Sequence, residues 1–290
     1  VLVVGLLLGG IYGLVSIGLN LIFGVIRIVN FAHGEFVMVA MYGTYLCHAA
    51  LGLDPYLAVT VVVPAMFVFG TVVHRVVLQP LHAEASMQIF ATFGLLIVLQ
   101  NIVLWLTRGE GYSVPSKLAG LTLGVGDIRV TMSRLVIFAT LTLTAIALHV
   151  FLKRTLIGKS IRAVTQDRQA ARLMGINVER TFTVTFGIGT ALAGLAGVLL
   201  APIYTLAPDI GGNFILAAFA VVVLGGLGSV AGAYFGGLIV GLVEAFAGFY
   251  IDPELKQAIW FLIFIAVLIV RPSGLFGHVG AEEVGFREQG

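Results

Sequence analysis

Charge is scarce in this sequence. Only 10% of its 290 residues are Asp, Glu, Lys or Arg, whereas a soluble domain carries about a quarter. With 59% hydrophobic residues and a mean hydropathy of +1.09, that shortage excludes an ordinary water-soluble domain and predicts an integral membrane protein. Cysteine is scarcer still: Cys47 stands alone in an apolar run, which excludes an internal disulfide framework and a cysteine metal cluster. The net charge of +2 is small and its basic residues are bunched, so no nucleic-acid partner is expected. Enzyme signatures are missing too. No H-E-x-x-H, no G-x-S-x-G and no Cys pair occurs. Gly158-Lys159-Ser160 looks like the end of a phosphate loop, but Lys153 stands where its first Gly is required. Gly226-Leu-Gly228-Ser-Val-Ala231 loosely matches a dinucleotide fingerprint without the soluble βαβ unit that motif needs. No catalytic residue, metal centre or cofactor is predicted.

What the chain has instead is long apolar runs. A spanning helix needs about 20 mostly apolar residues, and nine stretches qualify, at roughly 3–25, 33–51, 57–78, 87–107, 133–152, 181–201, 213–228, 230–250 and 256–271. These predict an all-α polytopic membrane protein of about eight to ten transmembrane helices, with broken helices in an inverted repeat, forming one domain over 1–290. A Gly-rich break between Asn213 and Tyr250 leaves a re-entrant segment open there. The opening VLVVGLLLGGIYGLV lacks a basic n-region and a small-residue cleavage site. It reads as a retained first helix, with a few natural residues before Val1.

Charge collects in one place, Lys153 to Arg180, which holds seven of the sixteen Lys and Arg residues. Within it, Thr165 is a candidate N-cap, Asp167 falls in the first turn and Gly175 suits the C′ position. The resulting helix of about two and a half turns is too short to stand alone. Helical periodicity puts Ala170, Leu173 and Met174 on one face and Arg168 and Arg172 on the other, the pattern of a docking knob. Counting Lys and Arg in loops makes this stretch cytoplasmic. Alternation then puts Arg27, His74 with Arg75, and the tail after Arg271 on the same side, and Val1 and the loop 107–133 outside.

Two glycine ladders occupy the two halves: Gly5, Gly9, Gly13 and Gly228, Gly232, Gly236, continued by Gly237 and Gly241. Gly at every fourth position lets helix backbones approach closely, which by itself means tight packing. Each ladder also lies beside a break, Asn30 to Glu35 or Gly225 to Ser229, and in folds with broken helices the substrate path lies where breaks meet. Asn30, Phe31, His33, Gly34 and Glu35, with Gly225, Gly226 and Gly228, are therefore candidate path residues. Two readings stand for the first group: a His and a Glu at membrane depth mark a path, or the string is a cytoplasmic loop with Glu35 as the first acid of the next helix. Glu244, in the eighth segment, is either functional or hydrogen-bonded to a neighbouring helix.

Three stretches give the sequence a specific resemblance: GGIYGLVSIGLNLIFGVIRIVNFAHGEF from Gly9, GKSIRAVTQDRQAARLMGINVERT from Gly158 and FAVVVLGGLGSVAGAYFGGLIVGLVEA from Phe219. The chain resembles, from Gly9 to Gly277, permease subunits of bacterial ABC importers, and among them the H-type subunit of the branched-chain amino-acid system. In such importers the loop that meets the ATPase carries E-A-A-x-x-x-G. Here Gln169-Ala170-Ala171-Arg172-Leu173-Met174-Gly175 stands there, with Gln for Glu and without the downstream I-x-L-P. The resemblance implies coupling through Arg168 to Gly175 and residence in the bacterial inner membrane. It also implies three kinds of protein partner: a second homologous permease subunit, two ATP-binding subunits and a soluble substrate-binding protein. Leucine, isoleucine or valine is the implied cargo, and related permeases leave urea, short amides or aromatic acids open. An ion-coupled secondary transporter is the rival class, for which only His33, Glu35 and Glu244 could serve as coupling groups.

Overall fold

Helix formation follows hydropathy almost segment by segment, because backbone in hydrocarbon must satisfy its own N–H and C=O groups. The computed structural model describes residues 1–81, 84–118, 120–125, 128–271 and 274–277. Its helices run α1 (Leu2–Ile26), α2 (His33–Leu51), α3 (Val59–Val73), α4 (Ala85–Thr107), α5 (Met132–Arg154), α6 (Leu156–Gln166), α7 (Arg168–Leu173), α8 (Val178–Leu200), α9 (Ile210–Gly225), α10 (Val230–Tyr250) and α11 (Lys256–Val270). Nine of these coincide with the nine apolar runs. Six are long and apolar enough to cross a membrane: α1, α4, α5, α8, α10, and α3 extended through its following turns to Leu81. The 16 residues of α9 and 15 of α11 span about 24 and 22 Å, short of a hydrocarbon core of about 30 Å. One element departs from the all-α expectation: β1 (Thr122–Val125) and β2 (Ile128–Thr131) pair antiparallel, Thr122 opposite Thr131. Their Thr, Val and Ile residues suit extended backbone.

Packing is organised around α1, buried along most of its length. α1 and α10 run antiparallel and meet through their glycines. A Cβ on Gly9 would lie 2.6 Å from Leu238 Cα, and one on Gly237 would lie 2.5 Å from Gly13 Cα. The two ladders are thus partly each other's partners. Gly232 and Gly236 turn the other way and press on Gly225 of α9. Across α1, Gly189 of α8 fits against Ile22 and Gly18, while Gly197 fits against Val37 and Ala40 of α2. Large apolar side chains such as Phe90, Trp105, Leu262 and Val270 stay exposed, as a lipid-facing surface requires.

The basic loop ends meet at one end of the bundle. Arg27 Nη2 donates to Thr165 O (3.3 Å), and Arg168 Nη2 donates to Ile26 O (2.9 Å). His74 Nδ1 lies 3.1 Å from Thr183 Oγ1 near the start of α8. Leu275 and Phe276 donate their N–H groups to Leu224 and Gly225, so the residues just after Arg271 share that end. Beyond Gly277, the tail expected there lies outside the described residues.

Candidate functional site

The basic stretch forms two helices where one was expected. Thr165 does not cap: its hydroxyl donates to Ile161 O within α6. The N-cap of α7 is Asp167, whose Oδ1 accepts from Gln169 N (2.8 Å) and Ala170 N (2.9 Å). The switch is physical. Asp167 is held extended at φ −153° and ψ 113°, the backbone an N-cap needs. α7 is therefore only six residues long. Gly175 ends it in the left-handed region at φ 79°, as expected of a C′ glycine.

The two faces of α7 differ as the periodicity required. Arg168 is turned inward, its guanidinium 5.1 Å from the centre of the Phe182 ring. Arg172 lies 3.6 Å from Glu179, and Ala171 is buried. Gln169 and Ala170 are exposed, and Leu173 and Met174 are 88% and 82% exposed. Two large apolar side chains at the tip of a basic segment are thus held out of the fold by contacts made on the opposite side.

Between α1 and α2 the chain turns back into the bundle. Arg27 ends α1 in the left-handed region (φ 63°), and residues 28–32 lead to His33, whose Nε2–H donates to Val15 O (3.1 Å). Its ring also lies 3.1 Å from where a Cβ on Gly18 would be. Measured back along α1 from Arg27, that is about 14 to 18 Å, roughly half the hydrocarbon thickness. α2 begins at depth, and the string from Asn30 to Glu35 is not a surface loop.

Backbone without helix at depth must find other partners. Thr92 of α4 supplies some: its hydroxyl accepts from Phe31 N (3.3 Å) and lies 3.2 Å from Val29 O. Asn30 Oδ1 accepts from Ala32 N (3.2 Å). The side chains fare worse. Asn30 and His33 are fully buried and Glu35 is 2% exposed, yet Asn30 Nδ2, His33 Nδ1 and Glu35 Oε2 have no hydrogen-bond partner among the described residues. Around them, Phe31 touches Phe219 of α9 (ring centroids 5.5 Å) and Phe93 of α4 (6.2 Å). Gly34 lies backbone to backbone on Gly211, and a Cβ on Gly211 would come within 2.8 Å of Glu35 Oε1. The Glu35 carboxyl thus rests against the first turn of α9.

Gly225, Gly226 and Gly228 occupy a different place. They join α9 to α10, and Gly226 (φ 105°) and Gly228 (φ 80°) require glycine's backbone freedom. The expected juxtaposition of this break with Asn30 to Glu35 is not what forms. Gly34 meets Gly211, at the far end of α9 from Gly225 and about 21 Å along the helix. Gly228 packs instead on Gly24 of α1. An unforeseen residue closes this break: Asn20 Oδ1 accepts from Gly228 N, and its Nδ2 donates to Ser229 O (2.6 Å) and Gly226 O (3.4 Å). A lone amide in the apolar run of α1 was the available signal. Glu244 takes the neighbouring-helix role, accepting from Tyr12 OH (2.7 Å) and pairing with Lys256 Nζ (3.3 Å).

A permease is the class these features define: apolar helices, one broken at depth, and a short apolar-tipped helix at the basic end. Comparison with known proteins agrees. The family described as "Branched-chain amino acid transport system / permease component" matches residues 1–268, and the chain belongs to that family. It is 34% identical to the high-affinity branched-chain amino acid transport system permease protein LivH of Escherichia coli K12, over 97% of this chain and 96% of that one. Its identity to BraD of Pseudomonas aeruginosa, which bears the same description, is 33% over 98% and 97%. A probable branched-chain amino acid transport permease of Methanocaldococcus jannaschii is 28% identical over 91% and 88%. No solved structure matches the chain. The chain is a multi-pass inner-membrane transport permease and not an enzyme.

Proposed function

We propose that this chain forms half of the translocation pathway of an ABC importer for branched-chain amino acids. It works with a second permease subunit, two ATP-binding subunits that hydrolyse ATP, and a soluble binding protein that delivers cargo. The branched-chain amino acid transport for which the LivH and BraD relatives are named supports the cargo. The observation that carries the mechanism is the mounting of α7. Arg168 ties it to the last carbonyl of α1, Ile26 O, and rests on Phe182 of α8, while Leu173 and Met174 project outward. The break begins at the very next residue, Arg27. An ATPase gripping Leu173 and Met174 would therefore move the hinge between α1 and α2 directly, and with it Phe31, His33 and Glu35. Asn30 to Glu35, together with the Phe219 and Gly211 face of α9, form the path wall in this reading.

The ion-coupled alternative is weaker on these contacts, since Glu244 is engaged by Tyr12 and Lys256, leaving it only His33 and Glu35. Leu173→Asp tests the proposal. A charge placed at the ATPase contact costs several kcal/mol, so leucine uptake and transport-stimulated ATP hydrolysis should both fail while membrane insertion persists. Normal uptake by that variant would remove the coupling role of α7. Assaying the assembled wild type with leucine, isoleucine, valine, urea, short amides and aromatic acids decides the cargo.

A further inference from the structure

At the basic end of the bundle, α1, α5, α6 and the first turn of α10 enclose a cavity of about 440 Å³. Its polar lining is His149, Lys153, Arg162, Thr165, Gln166 and Ser229, with no carboxylate among them. Among the described residues no acidic side chain pairs with Lys153 or Arg162. The start of α10 adds the positive end of its dipole to this surplus of positive charge. A second cavity of about 380 Å³ continues from the first between α5 and α10, and His149, Val230 and Ala231 line both. The second is apolar apart from His149 at the junction and the hydroxyls of Thr142 and Tyr234, which lie 3.2 Å apart and bond each other. From Lys153 to Thr142 is eleven residues, or about 16 Å of α5. That length matches one leaflet of a hydrocarbon core about 30 Å thick.

We propose that this surface binds an anionic phospholipid of the leaflet on the Lys153 side. The phosphate sits at Lys153 and Arg162, and an acyl chain lies along Ala145, Ile146, Tyr234 and Phe235. Each half of the surface argues against another occupant. A free phosphate would satisfy the cations but leave the apolar groove empty. An apolar helix of a partner subunit would fill the groove but cover two cations without compensating charge. A lipid with an anionic head supplies both chemistries at the spacing found. The site joins α5 and α6 to the α9–α10 break through Ser229, so its occupancy braces the segment that leads into α7.

The test uses the assembled transporter, purified in mild detergent and freed of loosely held lipid. Dioleoylphosphatidylglycerol, dioleoylphosphatidylcholine or inorganic phosphate is added, and lipid retention by native mass spectrometry is read beside thermal protection. Wild type should retain phosphatidylglycerol in preference to phosphatidylcholine and gain no protection from phosphate. Lys153→Gln with Arg162→Gln should weaken phosphatidylglycerol retention about thirtyfold. Ala145→Leu, which fills the groove and leaves the cations intact, should weaken it as well, and carries the test if the double variant does not assemble. Equal retention by wild type and the variants would overturn the proposal. So would equal protection by inorganic phosphate, or a cross-link from a cysteine at position 146 to a partner subunit.

Discussion

Two helix breaks interrupt this permease, and they are finished in opposite ways. At Gly225 to Ser229 much of the freed backbone is served: Asn20 bonds Gly228, Ser229 and Gly226, Ser229 Oγ accepts from Gly232 N, and Leu275 and Phe276 donate to the last carbonyls of α9. At Asn30 to Glu35 the backbone is bridged by Thr92 and Asn30, but three buried polar atoms go without partners among the described residues. A buried polar group left unpaired costs about 1 to 3 kcal/mol. A fold selected for stability alone would have removed such groups, as it has at the other break. The first arrangement reads as a structural joint. The second is the one proposed above as the path wall.

The sharpest blow to the joint is Gly232→Val. Its side chain would enter the Gly225 backbone, which cannot give as a side chain can, so destabilisation should exceed about 3 kcal/mol and the complex should fail to assemble or melt far lower. A variant as stable as wild type would mean the joint is not close-packed. Asn20→Leu comes next. It strips Gly228 N of its acceptor while Gly226 O and Ser229 O keep backbone donors, so a loss of about 2 kcal/mol should appear as a lower melting temperature of the detergent-purified complex.

The other break should respond in function first. Phe31→Cys in a Cys47→Ser background should react with a small water-soluble thiol reagent at a rate that changes between ATP-bound and nucleotide-free complex. Fast reaction indifferent to nucleotide would leave Phe31 outside the path. Position 34 does not suit this probe, because any Cβ there meets Gly211 backbone. The smallest stability effect belongs to Glu35→Gln, which keeps the shape and removes an ionisable group whose Oε2 has no partner among the described residues. Stability should change by no more than about 1 kcal/mol, yet uptake should fall. Unchanged uptake would place Glu35 among the structural residues.

Much of this was legible in the sequence. Nine of the eleven helices among the described residues stand where apolar runs stand, because burial in hydrocarbon is decided locally by side-chain type. Both breaks announced themselves through polar or glycine-rich interruptions, and the apolar tip of α7 through 3.6-residue spacing alone. Asn20 escaped notice because its partners lie more than 200 positions away. The N-cap fell to Asp167 over Thr165 because backbone geometry, not residue preference, chose between two capable residues.

Composition and periodicity, then, determined that this chain lives in a membrane, where its helices run, and which face of α7 is free, since each depends on neighbours a few residues apart. Only the tertiary structure decided how deep His33 lies, that Gly34 meets Gly211 and not the Gly225 to Gly228 turn, and that Asn20 bonds the backbone of one break while Thr92 bridges the other. Those outcomes depend on which distant backbones approach closely enough to share hydrogen bonds. A glycine ladder permits such an approach but does not name the partner.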